Sequence, residues 1–282
     1  MSEPPAAITE LLAVMARLRD PQRGCAWDRA QDFASIAPYT IEEAYEVFDA
    51  IESGEPERLR DELGDLLFQV VFHARVAQEL GWFDFAAVAQ AISAKLVRRH
   101  PHVFAAAEGS KPAEPDAILR DWEELKERER AAAAQRRGAA GSVLADVPRA
   151  LPALTRAAKL GARAARVGFD WQRSCEVRAK VSEELRELDE ALSGSKPIAD
   201  AAVVEEIGDL LFTLVNWSRH LHVDAEAALR AANDKFERRF REMERLATER
   251  GLSLRALDAA QWDALWREAK RLLQASSLNS MP

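Results

Sequence analysis

Apolar residues recur along this chain in steps of three and four, the spacing of helices rather than strands. Ile8, Leu11, Leu12, Met15 and Leu18 form the first such stripe, which Asp20-Pro21 ends. A loop carrying Cys25-Ala26-Trp27-Asp28 leads to a helix predicted over 38–52 and closed by Ser53-Gly54. The next is predicted over 56–80, stopping at Gly81, and two more over 85–99 and 116–137. Gly138-Ala139-Ala140-Gly141-Ser142 follows an alanine-rich tail and reads as a linker. Beyond it, helices are predicted near 150–166, 175–193, 199–221, 225–249 and 258–275. The two-residue alternation of strands is not found, so the pattern predicts an all-α protein.

The pattern also repeats. Glu42-Glu43-Ala44-Tyr45-Glu46, then Glu62-Leu63-Gly64-Asp65-Leu66-Leu67-Phe68, is answered by Glu183-Glu184-Leu185-Arg186-Glu187, then Glu206-Ile207-Gly208-Asp209-Leu210-Leu211-Phe212. The offset is 141 residues from Glu46 to Glu187 and 144 from Glu62 to Glu206. The 282 residues therefore divide into two tandem modules of the four-helix-bundle type, 1–137 and 145–282, joined by a linker at 138–144. Gly64 and Gly208 stand mid-helix, where glycine costs about 1 kcal/mol relative to alanine. A close helix–helix approach is the expected reason.

Each copy sets two carboxylates three apart on one helix and two more on the next, and residues three apart share a helix face. Glu184, Glu187, Glu206 and Asp209 can thus converge, as can Glu43, Glu46, Glu62 and Asp65. Glutamate-rich helices commonly just carry solvated faces; here the paired clusters recur immediately before an apolar run. Converging carboxylates repel unless cations sit between them, and oxygen ligands suit Mg²⁺ or Mn²⁺. A di-iron bundle would need Glu-x-x-His. The residues three before the five histidines are Val70, Val97, Arg99, Trp217 and Arg219. Zinc lacks clustered Cys or His ligands.

Basic partners follow on a later helix. Lys235-Phe236-Glu237-Arg238-Arg239 matches Lys95-Leu96-Val97-Arg98-Arg99 at an offset of 140. Lys235 and Arg239 share a face and suit a polyphosphate. Lys180, four before Glu184, is a further phosphate contact candidate, and Trp266 a candidate to hold a base. The loops of Trp27 and Trp171 read as structural plugs, and His73 as a packed residue rather than a catalytic one. The copies differ where Asn216 aligns with Phe72, Asn233 with Ser93, Asp234 with Ala94 and Trp266 with Lys126. The polar groups of the second copy point to it as the main catalytic module. A formal charge of −8 argues against binding nucleic acid polymers or anionic membranes. With no long apolar run, no recognisable leader and two widely separated cysteines, the expected location is the cytoplasm.

The run EExxE then ExxD, as ELGDLLFQVVFHA and EIGDLLFTLVNWSRHL, resembles the MazG nucleoside triphosphate pyrophosphohydrolases. The strings WDRAQDFASIAPYTIEEAYEVFDAI, KLVRRHPHVF, RVGFDW and NDKFERRF carry the resemblance, to the two-repeat form, across residues 8–275. One departure is Ala26, where the family usually has proline after the cysteine. The resemblance implies an all-α homodimer that cleaves nucleoside triphosphates to monophosphate and pyrophosphate with Mg²⁺, tolerating several bases. It implies Glu184, Glu187, Glu206 and Asp209 as metal ligands, and Lys180, Lys235, Arg239 and Trp266 as nucleotide contacts. Asn216 and Asn233 join the substrate set by residue type. In the expected mechanism Mg²⁺ activates water for attack on the α-phosphorus, with Glu183 taking the proton. Lys235 and Arg239 then stabilise the departing pyrophosphate. The alternatives are a narrower hydrolase of dUTP or phosphoribosyl-ATP, and a non-catalytic nucleotide-binding helical scaffold.

Overall fold

The computed structural model describes residues 4–104, 125, 129, 142–194 and 200–279. Among them every regular element is helical. The chain divides into two compact units, Met1–Ala132 and Ala133–Pro282. The expected linker glycines at 138 and 141 lie outside the described residues, as does nearly all of the helix expected over 116–137.

The first unit contains α1 (Pro4–Leu18), α2 (Ala26–Ala30), α3 (Phe33–Ser53), α4 (Pro56–Glu79), α5 (Phe85–Arg99) and the short α6 (Pro101–Phe104). α3 begins five residues earlier than Pro38 suggested, because Asp32 caps it. The Asp32 carboxylate accepts from the Ser35 backbone N–H at 2.8 Å, and the Ser35 hydroxyl accepts from the Asp32 N–H at 2.9 Å. Pro38 then sits inside the helix and forgoes only the bond to the carbonyl of Ala34. Gly54, at φ 69°, closes the helix in the left-handed conformation that glycine adopts without strain.

α3 and α4 are the most extensively packed pair of this unit. Their apolar faces meet α1 in a core of Met15, Ile36, Val71, Phe72 and Val76. The core confirms His73 as a packing residue. Its ring stacks on Phe33 with centroids 5.7 Å apart, and its Nε2 pairs with the Thr40 hydroxyl at 2.9 Å. Trp27 departs from expectation. It lies in α2 rather than in a loop, is 53% exposed and meets the edge of Tyr39, whereas the buried residue of that helix is Asp28. The C-terminal end of α2 is held instead by Arg19, which donates to the carbonyls of Asp28 and Gln31 while pairing with Glu79.

The second unit contains α7 (Ala153–Arg166), α8 (Ser174–Gly194), α9 (Ala201–His220), α10 (Ala225–Glu249), a 3₁₀ turn (Leu254–Ala256) and α11 (Ala259–Asn279). α8 and α9 form its most extensively packed pair. A separate core of Met243, Leu246, Ala247, Leu265 and Ala269 joins α10 to α11. Asp84 and Asp224, 140 residues apart, cap α5 and α10 in the same way, so both helices carrying the basic triplet start in register.

Gly64 and Gly208 correct the sequence reading. A Cβ at either would meet no atom within 4 Å. The close approach expected there is not made among the described residues, and the neighbours Leu63 and Ile207 are exposed.

Candidate metal centres

Helical spacing alone sets Glu206 and Asp209 one turn apart on α9, and the packing of α8 on α9 brings Glu184 to them. One carboxylate oxygen from each of Glu184, Glu206 and Asp209 lies within 4.8 Å of the other two, and Glu43, Glu62 and Asp65 repeat the arrangement in the first unit. Each centre is thus a trio rather than the four carboxylates expected. Glu46 stands beside Glu43, where its charge adds to the repulsion. Glu187 sits beside its own, 3.9 Å from Lys180 Nζ. In both units the member from the first helix is more buried than the aspartate.

The electrostatics of the two trios differ. In the second, Lys180 Nζ donates to Glu183 and Glu184, each at 3.0 Å. Those two hydrogen bonds, Glu183 first, hold its ammonium above the usual lysine range. The corresponding position in the first unit, 141 residues earlier, is Tyr39, so that trio has no such lysine. There burial, then the Glu46 hydrogen bond and the charge of Asp65, push Glu43 above the usual carboxylate range. Glu206 is also raised, by desolvation and by the charges of Glu187, Asp209 and Glu184. Crowded oxygens of one sign, facing each other with raised proton affinity, are the donor set a hard divalent cation satisfies. Around a six-coordinate Mg²⁺ with ligands at about 2.1 Å, neighbouring oxygens lie about 3.0 Å apart and opposite ones about 4.2 Å, so side-chain rotation would close either trio on the ion.

The remaining candidates form a second group on α10 and α11. Asn233 and Lys235 are exposed on α10. The Arg239 guanidinium lies over the Trp266 ring, 5.7 Å from its centroid. Phe236, exposed, stacks against Phe240 and meets Trp266 at 5.7 Å. Among the described residues, Lys180 is the one basic candidate in ion-pair contact with the carboxylates. Asn216 is buried, and its Oδ1 accepts from Arg219 Nε at 2.9 Å. That oxygen stands 3.3 Å from where a Cβ on Gly161 would lie, so a larger residue there would press on the Asn216 side chain.

Three features escaped the sequence reading. Asp170, in the Trp171 loop, accepts from both Arg219 and His220 and ties that loop to the end of α9. Gln69, one turn past Asp65, is buried with Oε1 unpartnered, and Thr213 is buried at the equivalent place. Glu129 pairs with Arg98 and Arg99 of the first basic triplet. None has a local sequence signature, because each pairing is made by tertiary packing.

The MazG nucleotide pyrophosphohydrolase domain matches residues 31–104 and 172–243, stretches that contain both trios and both basic triplets. A nucleoside triphosphate pyrophosphohydrolase of Escherichia coli (strain K12) is 51% identical over 265 residues, covering 94% of this chain and 97% of that protein. The nucleoside triphosphate pyrophosphohydrolase/pyrophosphatase MazG of Thermotoga maritima is 40% identical over 270 residues, 96% of this chain and 98% of that one. In Mycolicibacterium smegmatis, a nucleoside triphosphate pyrophosphohydrolase is 38% identical over 169 residues, 59% of this chain. The chain belongs to the MazG family of nucleotide pyrophosphohydrolases, hydrolytic enzymes whose domain it carries twice.

Proposed function

We propose that this chain hydrolyses nucleoside triphosphates to nucleoside monophosphate and pyrophosphate, with broad base tolerance, chiefly at its second repeat. The convergence of Glu184, Glu206 and Asp209 beside Lys180 carries this reading. Glu184, Glu187, Glu206 and Asp209 would hold Mg²⁺ or Mn²⁺; when bound, the cation supplies charge neutralisation and an activated water. Glu183, half exposed and 3.0 Å from Lys180 Nζ, is placed to accept a proton beside the trio. Lys180 offers its ammonium to the anionic substrate in exchange for the carboxylates it now bridges. Lys235 and Arg239 take charge developing on the departing pyrophosphate. Trp266, already stacked with Arg239, provides a flat face for a base, and Asn216 and Asn233 supply polar contacts.

The same reading includes a homodimer. Leu63 and Val70 of α4 and Ile207, Leu211, Phe212 and Leu214 of α9 leave apolar side chains exposed on the helices that carry the trios. A second copy laid over them would complete the bundles and explain the glycines at 64 and 208. The free cysteines Cys25 and Cys175 suit the cytoplasm. No described helix is long and apolar enough to cross a membrane.

Incubation with the four nucleoside triphosphates, with and without EDTA, tests the activity directly. Monophosphate and pyrophosphate should form from several bases and vanish with EDTA. Diphosphate and phosphate would place the cut elsewhere, and turnover of dUTP or phosphoribosyl-ATP alone would favour the narrower hydrolase. Glu206→Gln should remove most activity and Glu62→Gln little of it; the opposite ranking would sink the assignment to the second repeat.

A further inference from the structure

The basic triplets of the two repeats meet different fates. On α10 the nearby acids pair with other residues, Glu237 with Arg241 and Glu242 with Arg245. Arg239 has its guanidinium over an aromatic ring. In the first repeat both arginines are engaged by one carboxylate. Arg98 donates from Nε and Nη2 to one oxygen of Glu129, at 3.0 and 2.6 Å. Arg99 donates from Nε, at 3.2 Å, and from Nη2 to the other oxygen. Two guanidinium forks on the two oxygens of one anion is the way an arginine pair takes a phosphate. Glu129 stays charged at any physiological pH, because Arg99 and then Arg98 hold its carboxyl down to about 2. The clasp is also partly shielded, with Arg99 17% and Glu129 25% exposed.

The second repeat has no equivalent acid. At the offset of 140 that aligns Lys95 with Lys235, Glu129 aligns with Ala269, which is fully buried in the α10–α11 core. The acid is therefore a property of the first repeat and not of the shared domain.

We propose that Glu129 is a built-in anion occupying the phosphate-binding position of the first repeat, so that Arg98 and Arg99 are closed to polyphosphate until it is displaced. The inference rests on the reading that Lys235 and Arg239 grip phosphate in the second repeat. If Glu129 only pinned its own segment, removing it would weaken the fold without creating an anion site.

The test uses inorganic tripolyphosphate with Mg²⁺, followed by calorimetry on the full chain carrying Lys235→Ala and Arg239→Ala to silence the second grip. Adding Glu129→Ala, or Glu129→Gln where alanine perturbs folding by circular dichroism, should tighten tripolyphosphate binding at least about tenfold, as loss of a tethered competitor predicts. A further Arg99→Ala should abolish the gain. No tightening in either folded Glu129 variant overturns the inference, as does equally tight binding before Glu129 is changed. If the unsubstituted chain binds tripolyphosphate and the Glu129 variants gain nothing, this inference alone falls. If the unsubstituted chain binds none, the phosphate grip of the second repeat falls with it.

Discussion

Glu184→Gln and its first-repeat counterpart Glu43→Gln should move stability in different directions when no divalent cation is present. Glu184 is 5% exposed and accepts from Lys180 at 3.0 Å. A hydrogen bond between charged groups contributes about 1.5–3 kcal/mol. Lys180 is 31% exposed, so solvent screening leaves about 1–2 kcal/mol as the expected loss. Glu43 has no lysine partner, and burial, Glu46 and Asp65 all act against its charge. An amide there removes a repelled anion, so the first unit should hold its stability or gain up to about 0.5 kcal/mol. Mg²⁺ at 100 times its Kd would add about 2.7 kcal/mol to a unit that binds it, and each variant should lose most of that addition in its own unit. Hydrogen exchange followed peptide by peptide reads the units separately, through α3–α4 and α8–α9, in EDTA and in Mg²⁺. Equal losses from both substitutions in EDTA would refute the charge argument. A Mg²⁺ response of Glu184→Gln equal to the parent's would refute the metal assignment.

Phe72→Ala should cost the first unit about 3–5 kcal/mol, because the ring is fully buried, meets Phe68 edge-on and lies under the Arg19 guanidinium; urea unfolding would measure it. Burial holds His73 below the ordinary 6.5. The unfolded chain then binds the proton first, so the stability from a neutral His73 is complete above pH 6.5 and lost as pH falls through the folded value. Urea midpoints of the first unit should drop from about pH 7 to about pH 5, and His73→Gln should flatten that slope. Gly64→Ala and Gly208→Ala, facing open space, should each stabilise an isolated chain by up to about 1 kcal/mol. Within the proposed homodimer they should instead weaken association, which sedimentation against concentration would detect; a gain in both would argue against an interface on this face.

The helices were legible because their apolar spacing is local and strong, and the trios because residues three apart share a face whatever the rest of the fold does. The start of α3 was misread because Pro38 is a stronger visible signal than Asp32 and Ser35, whose capping bonds set the real boundary. Spacing suggests four carboxylates per centre, and the structure brings three of each set within 4.8 Å, with Glu187 beside the second trio where its charge acts on Glu206. The glycines were read as contact points within the chain, and their open surroundings emerge only once every neighbour is placed. The Asp170 and Glu129 pairings link residues about 50 and about 30 positions apart, distances over which a single sequence carries no pairing signal.

The two repeats share their carboxylates and their basic triplet, so neither feature can account for a difference between them. What differs is how each unit balances its own charges. In the second, Lys180 bridges Glu184 of the trio and its neighbours Glu183 and Glu187 at 3.0 to 3.9 Å, and Arg239 rests on an indole. On the proposed reading both cations would turn to an incoming anion, and the carboxylates would hold the divalent ion that accompanies it. In the first, Tyr39 stands at the position of Lys180, Glu62 pairs with Arg58 at 3.5 Å, and Arg98 and Arg99 are committed to Glu129. A polyphosphate arriving there must displace a tethered carboxylate and finds no lysine beside the trio. On the proposed reading, Tyr39 at the place of Lys180 and Glu129 at the place of Ala269 are the two exchanges that would leave the first repeat closed on itself.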